Sequence, residues 1–179
     1  MRLIASSLSA ATLVLSQTGC SLFSPVPLWE LAKAGGTVAS MALPYGEPKA
    51  SDTVYHLHPR FHTLCIAFNP DTPAQGLVPA LQAELRLHQI ETRVYEGVLP
   101  ERCSVSLAYE AAIGWEVPPL GGGYQAYLST LALTLRDADG AVLSSSRYEV
   151  DNGLGWGKWR STRSKVAPVV SALVTGFEN

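Results

Sequence analysis

Three groups of side chains in this sequence have the types and spacing to do chemistry. The first is "HLHPRFH", residues 56–62, which sets His56, His58 and His62 close together. A His-x-His pair on a strand turns both imidazoles to one face, a donor set suited to Zn²⁺ or Cu²⁺. No carboxylate or further His follows at ligand spacing, however, and Pro59 changes the phase before His62. Polar residues at the entry to a domain produce the same pattern. The expectation is therefore no metal site and no cofactor, with metal binding by His56, His58 and His62 as the alternative.

Covalent and acid–base catalysis find little to build on. The chain has no GxSxG elbow, and no Cys-x-x-Cys pair that would make a redox-active thiol. Paired carboxylates could be assembled from Glu110, Glu116, Asp137, Asp139 or Asp151, but most of these fall in turns or on exposed strand faces, where they serve solubility. The expectation is a non-enzymatic protein with no catalytic residues.

The second group is "DNGLGWGKWR", residues 151–160, where glycines separate Trp156 from Trp159 and place Lys158 and Arg160 beside them. Trp and Arg dominate binding hot spots, and a Gly-rich loop can present them to a protein or a glycan. Trp156, Lys158, Trp159 and Arg160 are accordingly the candidate partner contacts. The competing explanation is that one or both indoles plug the end of a sheet and seat the last helix. Trp115, beside "VPPLGGG", is open to the same two readings.

The third group is the three cysteines, and their meaning depends on compartment. Met1–Arg2 is a short positive start, Leu3 to Leu15 is apolar apart from Ser and Thr, and small residues lead into Gly19–Cys20. The apolar run is shorter than the roughly 20 residues a permanent span needs, and the layout is that of a cleaved export signal. Thr18–Gly19–Cys20 fits a lipoprotein cut, after which the Cys20 thiol carries a diacylglyceryl group and its amine an acyl chain. Gln17 departs from the Leu usual three positions before such a cysteine. Ser21 follows, a sorting pattern for the outer membrane, so residues 1–19 are expected as signal peptide and the mature chain as anchored there, facing the periplasm. Cys65 and Cys103 then remain in an oxidising space and are expected to pair. Closing that loop of about 38 residues would contribute roughly 3–4 kcal/mol; two buried free thiols are the alternative.

The elements that must position these residues follow from periodicity. Residues 20–60 read as anchor, tether and N-terminal extension, with a short helix in "LWELAKAGGTVASMAL" broken at Gly35–Gly36. Phe61 to Phe68 is an apolar strand. Ala74 to Gln89 places Leu77, Leu81, Leu85 and His88 near one helix face, with Glu84 and Arg86 elsewhere. "IETRVYEG" is a second strand. Then "CSVSLAYEAAIGW", "YQAYLSTLALTLRD" and "AVLSSSRYEV" alternate and make an antiparallel meander, with "DADG" as a hairpin turn. Ser161 or Thr162 caps a last helix whose stripe is Val166, Val169, Val170, Leu173 and Val174, with Pro168 predicting a kink or a later start. The order β-α-β-β-β-β-α predicts an α/β (α+β) two-layer sandwich over residues 61–179: a mixed sheet of about five strands, helices on one face.

This order, with the lipid-attachment cysteine, resembles the periplasmic domain of the curli-secretion lipoprotein, the lipoprotein activators of peptidoglycan synthases and the N-terminal domain of the Tol-system β-propeller protein. Residues 61–177 are also similar to a family of uncharacterised proteobacterial lipoproteins, through Cys65, "YEG" at 95–97, "CSVSLAYEA" with Trp115, and "YLSTLALTLRDADG". The closing pattern of Lys158–Trp159, Ser161–Thr162, Lys165 and Pro168 belongs to the same likeness; "PPLGGG" and the segment before residue 60 do not. The resemblance implies fold and location. With a net charge of −2 and 16% charged residues, no basic field suggests nucleic acid. The expected role is a binding or accessory module of the cell envelope, held to the outer membrane by lipid, with an envelope protein or peptidoglycan as partner and support of peptidoglycan synthesis or cell division as its sharper form. The alternative is a small periplasmic metal-dependent enzyme.

Overall fold

The computed structural model describes residues 46–178 apart from 73, 75 and 152–155. Cys20, the expected signal peptide and the expected helix at residues 28–43 lie outside the described residues. Within them the chain forms β1 (Ser51–Tyr55), β2 (Thr63–Ala67), α1 (Leu77–Leu87), β3 (Glu91–Tyr95), β4 (Val105–Glu116), β5 (Gln125–Asp137), β6 (Val142–Glu149), a 3₁₀ turn (Trp156–Trp159) and α2 (Thr162–Thr175). One six-stranded mixed sheet runs in the order β1-β6-β5-β4-β2-β3. β2 is parallel to both β3 and β4, and every other pairing is antiparallel. This is the expected α+β class with one strand more than expected. The addition is β1, which pairs with β6 through Val54↔Ser145 and Tyr55↔Ser144. The sheet therefore takes in part of the segment expected as extension, and residues 45–179 form one compact unit. The stretch before Pro59 reads as β-rich in sequence, but the strand ends at Tyr55 and the histidines after it are coil.

The alternation that marks the strands also decides which side is dry. Leu64 and Ile66 of β2, Leu107 and Tyr109 of β4, and Leu131, Leu133 and Leu135 of β5 belong to one buried cluster. Leu81 and Leu85 of α1 and Val166, Val169, Val170 and Leu173 of α2 complete it. The six helix residues are fully buried, each contributing about 1.5–3 kcal/mol of transfer free energy before entropy is counted. On β6 two of the inward positions are small, Ser144 and Ser146: Ser144 is 0% exposed and its hydroxyl donates to the Leu173 carbonyl at 2.8 Å. Serine there lets α2 approach the sheet while satisfying the buried hydroxyl.

Cys65 lies between the two core residues Leu64 and Ile66, so it points to the opposite face, where it is disulfide-bonded to Cys103 with a Cα–Cα distance of 5.9 Å. Cys103 precedes β4 rather than sharing the inward set of Val105, Leu107 and Tyr109. The "DADG" turn joins β5 to β6, with Gly140 at φ 88° and the Asp137 carboxylate accepting from the Asp139 and Ala141 amides. α1 begins at Leu77, three residues later than expected, behind Gly76 at φ 77°. Glu84, expected away from the packed face, is 7% exposed and accepts from Arg163 Nε at 2.6 Å, linking the two helices. Ser161 caps α2 by accepting from the Ser164 amide at 3.2 Å, and the helix runs through Pro168 without a later start.

Candidate functional site

The β4–β5 hairpin is longer than its neighbours. Pairing of β5 with β6 stops at Thr130↔Glu149, whereas β4 and β5 continue together to Glu116↔Gln125 after a bulge at Ala112/Ile113. The 3₁₀ turn and the start of α2 meet this extension and leave a groove of about 520 Å³. Its aromatic walls come from three elements: Trp115 on β4, Tyr127 on β5 and Trp159 on the 3₁₀ turn. Lys158, Arg160, Ser161 and Gln125 supply the polar lining.

Glycine shapes this groove at two places. Gly114 faces Tyr127 across the hairpin, and a Cβ there would stand 2.5 Å from the phenol ring, so only glycine lets Tyr127 lie over the strand. Tyr127 in turn meets the Trp159 indole edge-on, with ring centroids 5.4 Å apart, a favoured aromatic arrangement. A Cβ on Gly157 would come within 2.9 Å of the Gly46 carbonyl oxygen. That glycine serves close backbone approach, seating the turn against the first described residue of the body.

Two lysines hold the turn in place. Lys158 Nζ donates to Glu116 Oε2 at 2.7 Å, tying the turn to the loop end of the hairpin. This hydrogen bond raises the lysine pKa. Lys165 is 0% exposed, and its Nζ donates to the Leu128 carbonyl at 2.9 Å and the Lys158 carbonyl at 2.6 Å. The same ammonium lies 5.5 Å from the Tyr127 ring centroid and 5.8 Å from that of Tyr148, within cation–π range of both. Carbonyl dipoles and ring faces thus take the place of a counter-ion. Burial lowers the Lys165 pKa to about 8 and pushes the Tyr148 phenol up to about 12. By gripping β5 and the 3₁₀ turn together, Lys165 fixes the spacing between the groove's two sides.

Of the expected partner contacts, Lys158, Trp159 and Arg160 line the groove, the last two half-buried. Trp156 opens the 3₁₀ turn in its backbone, and its side chain lies outside the described residues. Trp115 is 66% exposed, against the reading of it as a plug. Tyr127 and Lys165 were not singled out from sequence as site residues. The available signal was a lysine embedded beside the valine stripe of the last helix, where a solvated charge would be out of place.

The histidines separate from this site. His56–His62 is coil after β1, not a strand, so the one-face geometry expected of His56 and His58 does not arise. The His58 ring sits between Tyr55 and Phe61, at centroid distances of 5.0 and 5.5 Å, with Nδ1 3.0 Å from the Pro59 carbonyl. His58 and His62 share a cavity of about 400 Å³ with His88 rather than with His56. Among the described residues, no three His, Cys, Asp or Glu side chains are grouped to hold a metal ion.

No protein-family model matches the sequence, and no curated protein does. Among solved structures, the chain is similar to a PelC dodecamer from Paraburkholderia phytofirmans, at 13% identity and a TM-score of 0.47, over 75% of this chain and 100% of that one. A PelC variant from the same organism matches at 16% identity and a TM-score of 0.42, over 73% of this chain and 96% of that one. Neither is one of the lipoproteins that the topology resembles, and at these scores the likeness carries no argument about function.

Proposed function

We propose that this protein is a non-enzymatic binding module of the cell envelope, anchored through lipid on Cys20 to the periplasmic face of the outer membrane, that engages its partner through the groove between the β4–β5 hairpin and the 3₁₀ turn. The observation that carries the reading is the convergence of Trp115, Tyr127 and Trp159, from three separate elements, beside Lys158 and Arg160 in one concavity. Large aromatic groups with two or three rotatable bonds bind at low entropic cost, and Trp, Tyr and Arg are the residue types that dominate contact energies. The Lys158–Glu116 pair and the buried Lys165 hold these side chains before any partner arrives, which reduces the ordering cost of association. The partner is an envelope protein or peptidoglycan, and a role in peptidoglycan synthesis or cell division is the specific form of the proposal.

The test takes the acylated chain and its Trp159→Ala variant into co-sedimentation with purified sacculi and into crosslinked recovery from envelopes. Loss of recovery in one of the two, at least tenfold and with an unchanged melting temperature, supports the groove as the binding surface. Equal recovery by both chains would refute it. Incorporation of labelled palmitate, abolished by Cys20→Ser, tests the anchor separately.

A further inference from the structure

We infer that the free end of the β4–β5 hairpin is a second membrane contact, one that inserts residues 117–124 into the headgroup region of a phospholipid bilayer. The proposed anchor bears on this only by bringing a bilayer close. The segment "VPPLGGGY" contains no charged residue. It exposes Leu120 at 92%, Tyr124 at 75% and Val117 at 43%, next to Trp115 at 66%. Apolar side chains gathered at one projecting point mark a contact surface rather than ordinary scatter. Trp and Tyr beside an aliphatic tip match the depth order of a bilayer interface, with amphipathic rings at headgroup level and the aliphatic group below.

The backbone suits the same occupant. A loop with few free backbone N–H groups loses less on leaving bulk water for the interface. Pro118 and Pro119 have none, and the Gly121 N–H donates to the Pro118 carbonyl at 3.0 Å. Glu116, the charge adjoining the tip, is neutralised by Lys158. Residues 117–124 themselves carry no Arg and no charged side chain, unlike the adjoining groove, where Lys158 and Arg160 stand with Trp115 as a protein-binding surface would have them.

The test uses the mature chain from residue 20 with Cys20→Ser, so that lipid on the protein contributes nothing. An environment-sensitive fluorophore is placed at Leu120→Cys, or for comparison at Asp139→Cys in the β5–β6 turn at the other end of β5. The vesicles are phosphatidylethanolamine with phosphatidylglycerol. The expected result is a blue shift of the residue-120 label and its quenching by nitroxide-labelled lipid, with neither effect at residue 139. Tyr124→Ser should weaken vesicle affinity about tenfold, equivalent to about 1.4 kcal/mol. Equal iodide access to both labels at saturating lipid would overturn the inference. So would protection of the residue-120 label before vesicles are added, since another copy of the chain would then be covering the tip. Because the chain tested carries no acyl group, failure here is distinct from failure of the anchor, which palmitate labelling reads.

Discussion

Replacing Lys165 with Met should remove a rise in folding stability that the protein otherwise shows between pH 8 and 10. In the folded state the ammonium is fully buried, and burial lowers its pKa to about 8; in the unfolded chain an ordinary lysine titrates near 10.4. Below pH 8 both states hold the proton, and the folded state carries the full cost of burying the charge. Between pH 8 and 10.4 the unfolded state binds more protons than the folded one, so stability increases with pH. The integrated gain from pH 8 to 10 is about 2 kcal/mol for this difference in pKa. Tyr148 has the opposite sign: its pKa is raised to about 12, so its contribution is lost from about pH 10 upward as the unfolded phenol ionises first. The stability profile should therefore climb and then turn over. Urea denaturation of the Cys20→Ser chain at half-unit pH steps, with and without Lys165→Met, isolates the lysine. Parallel profiles for the two proteins between pH 8 and 10 would refute the reasoning, because the buried ammonium could not then be the titrating group.

Gly114→Ala puts a methyl group 2.5 Å from the Tyr127 ring, so it should destabilise the fold by about 1–3 kcal/mol and change the Trp159 fluorescence as Tyr127 moves. Reduction of Cys65–Cys103, which closes 38 residues of sequence separation, should cost roughly 3–4 kcal/mol, measured as the change in denaturation midpoint with and without reductant. Arg163→Ala leaves the buried Glu84 carboxylate without the guanidinium that pairs with it; a loss of about 1–3 kcal/mol is expected in thermal unfolding, and Glu84→Gln in the same chain should recover part of it.

Much of this architecture could be read from local pattern because local pattern is what generates it. Val166, Val169, Val170 and Leu173 are one face of a helix at any tertiary position, and all four are buried. Leu131, Leu133 and Leu135 likewise had to share one side of a strand. The β-rich stretch before Pro59 counts only weakly as a strand, because five residues with exposed Val54 and Tyr55 at a sheet edge leave little apolar signal. Glu84 was misplaced because a helix wheel cannot reveal that Arg163, far along the chain, will cover it. The groove was half legible. Trp159, Lys158 and Arg160 stood out by composition, but their joining with Trp115 and Tyr127 depends on a hairpin that outruns its sheet. The His cluster drew attention by spacing alone, and the coil it occupies dissolves the spacing argument.

The claim on which the functional account rests is that the groove is occupied in the cell. A photo-crosslinking amino acid at Gln125, which lines the groove, and another at Thr134, on the sheet face away from the helices, can be compared directly in living cells. The account predicts a discrete adduct from residue 125 that disappears when Trp159→Ala is added, and none like it from residue 134. No adduct at residue 125, or the same products from both positions, would contradict it.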